Sequence, residues 1–81
     1  MTQETGLDAL RDILSGLFRV DPASIQESTT AADIPGWDSL QMVNIILSVQ
    51  RRFGITFRNR DIDEVMNVGD LAALIDRATK A

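Results

Sequence analysis

The sequence predicts a small all-α protein of four helices, three longer and one short, and three observations carry that prediction. Apolar residues recur at helical spacing in three stretches, at residues 6–18, 39–53 and 67–79. A short helix is expected at Asp61–Met66, because acidic residues crowd its first turn, as the helix dipole favours. Ile55 and Phe57 alternate with polar residues as in a strand, but no other stretch could pair with them. We therefore expect Ile55 to Arg60 to be an extended connection.

Length and composition limit the function classes that the chain can serve. Its 81 residues suffice for one small domain, and the N-terminal Met favours a free-standing protein. The net charge of −4 argues against nucleic-acid binding, which needs a basic surface. The chain has neither histidine nor cysteine, so it lacks the commonest general base, the strongest nucleophile and the usual transition-metal ligands. We expect no enzymatic activity, no metal site and no disulfide.

The N-terminal region and the apolar runs predict a cytoplasmic protein. Charged residues between Glu4 and Asp12 interrupt any apolar core of a signal peptide. The longest uninterrupted apolar run, Leu71–Ile75, is far too short to span a membrane. We therefore expect no membrane association.

The first helix is expected to begin after a Thr5 cap and to stop before Asp21-Pro22, because the residue before a proline avoids the helical conformation. Its predicted buried face comprises Leu7, Leu10, Ile13, Leu14, Leu17 and Phe18. The last helix is expected to start at an Asn67 cap.

The 17 residues from Asp21 to Trp37 form an unusually long loop. A loop of this length in a compact domain is typical of a functional segment. Its first five residues could form one capped turn. Ile25 is expected to point into the core from this turn, and Ile34 and Trp37 are the expected anchors of the loop before the serine.

The loop leads to a serine at the start of the second helix. Pro35 and Gly36 end the loop, and Asp38 is a good N-cap whose carboxylate can accept from first-turn N–H groups. Ser39 then falls at about the first helical position, where unpaired N–H groups and the helix dipole favour negative charge. A phosphodiester on this hydroxyl would lie in a natural anion site.

The second helix is apolar over more of its circumference than a simple amphipathic helix. Leu40, Val43 and Leu47 form one stripe. The residues that widen it are Met42, Ile45, Ile46, Val49 and Phe53. Such a helix is expected to be covered by several neighbours or to border a cavity. Gly54 is a plausible C-terminal cap after Arg51 and Arg52.

Three short motifs connect the chain to a known family. The sequence reads Asp-Ser-Leu at residues 38–40, Phe-Gly-Ile at 53–55 and Val-Gly-Asp at 68–70. With these pieces in ungapped register, the chain resembles the acyl carrier proteins of type II fatty-acid and polyketide synthesis from roughly Leu7 to Ala78. Asp-Ser-Leu alone is a weak motif, whereas the three together in so short a chain are specific.

The resemblance implies a four-helix bundle of acyl-carrier type, formed by one domain over residues 1–81. It implies a 4′-phosphopantetheine arm on Ser39, transferred from coenzyme A by a phosphopantetheinyl transferase, with Asp38 and Leu40 completing the attachment motif. The arm would supply the thiol that this chain lacks. Acyl intermediates would travel on it as thioesters to acyl-transferring and ketosynthase-type enzymes. Similar carriers part their helices to shelter the acyl chain, and the candidate cleft residues are Val43, Ile46, Leu47, Ile62, Val65, Leu74 and Ile75.

One departure from the family pattern concerns the surface of the second helix. Fatty-acid carriers commonly place acidic side chains there, which meet basic patches on partner enzymes. The corresponding positions here are Gln41, Asn44, Gln50, Arg51 and Arg52. The departure predicts a specialised pathway, such as polyketide, unusual-lipid or other secondary biosynthesis. Candidate partner contacts are Trp37, Gln41, Met42, Arg51 and Arg52.

Several of these residues also have a purely structural interpretation. Trp37 could pack over the loop–helix junction, and Met42 could belong to the core. Half of the basic residues lie within ten positions, at Arg51, Arg52, Arg58 and Arg60. They form either a solvated patch or a steering surface for an acidic partner.

Other functions compete with that of an acyl carrier. Asp-Ser-Leu also resembles the Gly-Asp-Ser-Leu hydrolases, but those need a histidine, and Trp37 stands where their glycine would be. Peptidyl and aminoacyl carriers use the same arm on a similar fold. A helical interaction module would leave Ser39 unmodified. A monomer is expected, because the predicted core leaves no apolar surface over.

Overall fold

A computed structural model describes residues 5–80 of the chain. Its helices are α1 (Gly6–Phe18), α2 (Ser39–Phe53), α3 (Asn59–Asp63) and α4 (Val68–Lys80), with short 3-10 turns at Pro22–Ser24 and Ala31–Asp33. Residues 5–80 contain no strand. The all-α prediction is therefore confirmed, with three longer helices, one short helix and a long loop between the first two.

The core lies where α1 packs on α4 and on α2, whereas α3 has no contact of that extent with any one element. Leu10 and Leu14 of α1 are fully buried, as are Leu71 and Ile75 of α4. The other buried apolar residues are Ala9, Ile25, Ile34, Ile45, Ile46, Val49, Val68, Ala72 and Leu74. The prediction that Leu17 shares the buried face is wrong: its side chain is 41% exposed.

The start of α1 is locked against α4 by a close backbone approach. A Cβ atom at Gly6 would lie 2.5 Å from the carbonyl oxygen of Ala72, so no larger residue fits here without a backbone shift. The Gly6 N–H donates to Asp76 Oδ1 at 2.8 Å, and the Asp8 N–H donates to the Thr5 hydroxyl at 3.1 Å. The predicted Thr5 cap is confirmed.

The first helix ends at Phe18, as the apolar spacing predicts, and its C-terminal cap lies at Arg19, before Asp21-Pro22. Arg19 adopts the left-handed conformation, with φ of 56°, and its N–H donates to the Ser15 carbonyl at 2.9 Å. A cap that closes on Arg19 therefore stops the helix before the proline can act. The predicted capped turn that follows is confirmed, since Asp21 Oδ1 accepts from the Ala23 N–H and Ile25 is 1% exposed.

The long loop is joined to the start of α4 by two backbone hydrogen bonds. The Val68 N–H donates to the Thr29 carbonyl and the Gly69 N–H to the Glu27 carbonyl, both at 2.8 Å. A Cβ at Gly69 would lie 3.0 Å from the Glu27 carbonyl oxygen, so the glycine of Val-Gly-Asp permits this close approach. Asn67 Oδ1 accepts from the Asp70 N–H at 2.8 Å, which confirms the predicted cap of α4.

The predicted bounds of the short helix are wrong. It spans Asn59–Asp63 instead of Asp61–Met66, so the extended connection ends at Arg58. The Phe57 N–H donates to the side-chain oxygen of Gln50 at 3.1 Å. This bond fixes the end of the extended stretch. The carbonyl of the next residue, Arg58, accepts hydrogen bonds from the N–H groups of Asp61 and Ile62 and so begins the helix. Asp61 therefore lies in the first turn of the helix, whereas Asp63 and Glu64 mark its end.

No helix within residues 5–80 combines the length and the apolar character needed to cross a membrane.

Candidate functional site

The approach to the site is held by aromatic packing. The rings of Phe18 and Trp37 are stacked, with centroids 6.0 Å apart and an interplanar angle of 21°. Gly36 has a φ of 92°, and a Cβ atom there would lie 3.6 Å from the Phe18 ring. Ile34 is 5% exposed and its carbonyl accepts from the Trp37 N–H at 3.3 Å. The anchoring positions predicted for Ile34 and Trp37 are thus confirmed, and the end of α1 fixes the residues that precede the serine.

Ser39 occupies the first position of α2, as predicted. Asp38 has extended backbone angles, and its Oδ1 accepts from the Gln41 N–H at 2.9 Å. Its carbonyl accepts from the Met42 N–H at 2.9 Å. Asp38 is therefore the N-cap, and its carboxylate is held in the first turn instead of against the serine hydroxyl. Ser39 itself is exposed, so its hydroxyl is open to a modifying enzyme.

A groove of about 400 Å³ opens beside the serine. Met42 of α2 faces Ile62 and Val65 across it, and Trp37 forms part of its wall. The remaining lining residues are Ala31, Asp38, Ser39, Asp63, Met66 and Asn67. An apolar floor with polar groups at the serine end suits the first atoms of a flexible arm with an apolar load.

A second, smaller groove of about 220 Å³ lies between α2 and α3. Its walls are Met42, Val43, Ile46, Leu47, Asn59 and Ile62. Met42 and Ile62 thus line both grooves. Val43, Ile46, Leu47, Ile62 and Val65, five of the candidate cleft residues, border one groove or the other.

The two remaining candidate cleft residues lie elsewhere. Ile75 is fully buried and lines none of these openings, so the structure places it in the core between α4 and its neighbours. Leu74 is 7% exposed and borders a separate polar depression with Arg77 and Asp61.

The stripe formed by Leu40, Val43 and Leu47 is on the surface. These side chains are 69%, 54% and 44% exposed, whereas Ile45 and Val49 on the opposite face are fully buried. Of the two alternatives expected for such a helix, Val43 and Leu47 follow the second, because they border a groove, whereas Leu40 is neither covered nor beside that groove. The expectation that no apolar surface remains after the core is assigned is wrong, because this stripe is exposed. We call Leu40, Val43 and Leu47 the apolar stripe.

The polar positions of α2 have different roles, which the sequence alone did not separate. The Gln50 side chain holds Phe57, and Arg52 Nη1 donates to Asp12 Oδ2 of α1 at 2.7 Å. Both therefore tie α2 to other elements. Arg51 is exposed and forms no ion pair within residues 5–80. Gln41 accepts a hydrogen bond from the Asn44 side chain at 3.2 Å, on the surface.

Comparisons with known proteins show the family of the chain. The family model described as the phosphopantetheine attachment site matches residues 8–75. The chain is 25% identical to an acyl carrier protein of Thermotoga maritima over 76 residues, which are 94% of each chain. It is 26% identical to the meromycolate extension acyl carrier protein of Mycolicibacterium smegmatis, covering 94% of this chain and 77% of that one. The solution structure of a holo acyl carrier protein from Geobacter metallireducens superposes with a TM-score of 0.83 at 37% identity, covering 93% of this chain and 86% of that one.

Fold, site and family match together define a phosphopantetheine carrier. The chain belongs to the acyl carrier protein family, whose cofactor is 4′-phosphopantetheine. The residues present fit that group: an exposed serine at a capped helix N-terminus is followed by a groove with an apolar floor.

Proposed function

We propose that Ser39 carries the 4′-phosphopantetheine arm and that the protein ferries acyl groups between enzymes without catalysing a reaction itself. The observation that carries the proposal is the position of Ser39, exposed in the first turn of α2 and next to the groove. When bound, the arm supplies a thiol that holds acyl groups as thioesters. The chain's own contribution is to hold the attachment point and to shelter the load.

The roles of the neighbouring residues follow from their contacts. Asp38 fixes the first turn by accepting from the Gln41 N–H, so its removal would loosen the backbone at the attachment point. The first N–H groups of α2 and its dipole favour a phosphodiester on Ser39. Met42 and Ile62 would contact whatever enters either groove, because both side chains line both openings.

Intact mass spectrometry tests the proposal. We expect the protein to gain one phosphopantetheinyl unit when incubated with coenzyme A, magnesium and a broad-specificity phosphopantetheinyl transferase. Ser39→Ala should gain none, whereas Ser48→Ala, which removes another serine of the same helix, should be modified like the parent. An unmodified parent, in a reaction that modifies a control carrier, would contradict the proposal and favour a helical module with a free serine.

The cargo and pathway are part of the same proposal. The named relatives are acyl carriers, which favours an acyl load over an aminoacyl or peptidyl load. Within α2 there is no acidic residue, which supports a specialised pathway over general fatty-acid synthesis. Transfer of malonyl groups from the general malonyl transferase measures this directly. Exchange as efficient as that of a fatty-acid carrier would contradict the specialised assignment. A cytoplasmic location stays a prediction from the sequence.

A further inference from the structure

The apolar stripe continues into a basic region at its far end. Along α2, Leu40, Val43, Leu47 and Arg51 follow one another at spacings of three and four residues, so they share one helix face. Arg51 lies about 18 Å from Ser39 along the helix axis, at 1.5 Å per residue. The surface therefore changes from apolar to cationic with increasing distance from the attachment point.

Two more exposed arginines lie at the start of α3. Arg58 and Arg60 flank Asn59, which lines the smaller groove together with Val43 and Leu47 of the stripe. Both arginines are exposed, and neither forms an ion pair with a residue in the described part of the chain. Arg52 is excluded from this surface, because its guanidinium is bound to Asp12 of α1.

The charge of this surface is opposite to that of the whole protein. Residues 39–60 contain four arginines, of which Arg52 is paired with Asp12, and no acidic residue, in a chain whose net charge is −4. Asp61, which follows Arg60, borders the separate depression beside Arg77 of α4. The carboxylates near the groove at the other end, Asp38 and Asp63, lie on the serine side. A docking partner thus meets an acidic end beside Ser39, an apolar middle and a basic far end.

We infer that the stripe and the arginines Arg51, Arg58 and Arg60 dock onto partner enzymes whose own surface is an apolar patch with carboxylates opposite the basic end. This inference rests on the proposed carrier function. Exposed leucine and valine side chains supply the contact area, and the arginines set the orientation by charge complementarity. A partner whose entrance is lined by lysine and arginine is repelled at the far end of α2.

The test uses one ketosynthase in two forms. The first is a fatty-acid ketosynthase with a basic docking rim, and the second is the same enzyme with those basic residues changed to glutamate. Binding is measured with the Ser39→Ala protein, which keeps the surface but cannot be loaded. We expect it to bind the acidic form at least about tenfold more tightly, with the preference shrinking as salt screens the charges. Equal binding, or preference for the basic form, would overturn the inference.

Matched variants locate the effect on the surface. Arg51→Glu/Arg58→Glu should reverse the preference, whereas Arg19→Glu/Arg77→Glu, with the same change of net charge elsewhere, should retain it. Leu47→Gln should weaken binding to both forms, and Leu17→Gln, with a similarly exposed leucine on α1, should not. Circular dichroism verifies that each variant is folded. If Arg19→Glu/Arg77→Glu also reversed the preference, the effect would depend on net charge alone, which would contradict the assigned surface.

Loading is measured separately on the unsubstituted protein. A carrier that is loaded on Ser39 but prefers the basic enzyme contradicts the docking inference alone. A carrier that is never loaded contradicts the proposed function. The docking inference is then decided by the binding measurements alone.

Discussion

The two sides of this small bundle solve different problems. Where α1 meets α4, the chain is packed so closely that Gly6 lies against the Ala72 carbonyl, and Leu10, Leu14, Leu71 and Ile75 are fully buried. Where α2 faces α3, two grooves open and the apolar stripe is exposed. The first side stabilises the fold, whereas the second leaves apolar surface uncovered, where we propose that the load and a partner bind.

Helix α2 contributes to both sides, because its two faces differ in burial. Ile45 and Val49 of α2 are fully buried on the face toward the core, while Val43 and Leu47 on another face reach solvent and the smaller groove. Burying a leucine or valine side chain contributes about 1.5–3 kcal/mol to the free energy of unfolding. The exposed stripe forgoes much of that contribution, which fits a surface that is covered only in complexes.

Truncating one leucine on each side of the bundle should give the largest difference in stability. Leu14→Ala should lower the free energy of unfolding by about 2–5 kcal/mol, because it empties a fully packed site. Leu40→Ala should change it by less than about 0.5 kcal/mol, because the side chain is 69% exposed. Urea unfolding of both variants measures the contrast. Similar losses would show that the stripe belongs to the core.

The close approach of α1 to α4 gives a second test. Gly6→Ala should cost about 1–3 kcal/mol, because its Cβ would overlap the Ala72 carbonyl. Gly16→Ala is the matched control: nothing lies within 4 Å of the position that its Cβ would occupy, and alanine is the better helix former by roughly 1 kcal/mol. The midpoint temperature of thermal unfolding should therefore fall for Gly6→Ala and rise for Gly16→Ala. A Gly6→Ala protein as stable as the parent would contradict the close packing of α1 on α4.

The cap at the functional end predicts a smaller effect. Asp38→Ala should lower the free energy of unfolding by about 0.5–2 kcal/mol through loss of the bond from the Gln41 N–H. Asp38→Asn should retain most of that stability, since asparagine caps almost as well. Comparing the rates of Ser39 loading in these two variants separates the effect of the helix cap from the effect of the carboxylate charge. Slow loading of both, with only Asp38→Ala destabilised, would assign the carboxylate a direct role toward the transferase.

The smallest effect is expected in the fluorescence of Trp37. Trp37 is half-buried, stacks on Phe18 and lines the groove beside Ser39, and it is the chain's only tryptophan. Loading of an acyl arm should shift its fluorescence emission if the load enters this groove. Phe18→Leu, which removes the stacked ring but leaves the groove lining, is the control for changes in packing alone. Unchanged emission on loading would place the load in the smaller groove or in solvent.

Much of this organisation was predictable from local sequence chemistry. The caps at Thr5, Asp38 and Asn67 were identified because short polar side chains before apolar helical patterns have one dominant use. The position of Ser39 followed from its neighbours in the same way. Such features depend on contacts within a few residues, so the sequence contains nearly all the information that determines them.

The errors concern contacts across the fold. Leu40 and Leu47 are apolar residues at helical spacing, as the core residues are. They differ from the core only because no other element covers them. The short helix begins at Asn59 because Gln50, seven residues before Phe57, holds the connection in place. Arg52 belongs to an ion pair with Asp12, forty positions away, which no local pattern indicates.

Peptide mapping can locate the phosphopantetheinyl group within the chain. Trypsin releases the peptide of residues 20–51, which contains four serines, at positions 24, 28, 39 and 48. After incubation with coenzyme A and the transferase, fragment-ion spectra of this peptide should place the phosphopantetheinyl group on Ser39. Modification of another serine, or of none while a control carrier is modified, would contradict the assignment of Ser39 as the attachment point.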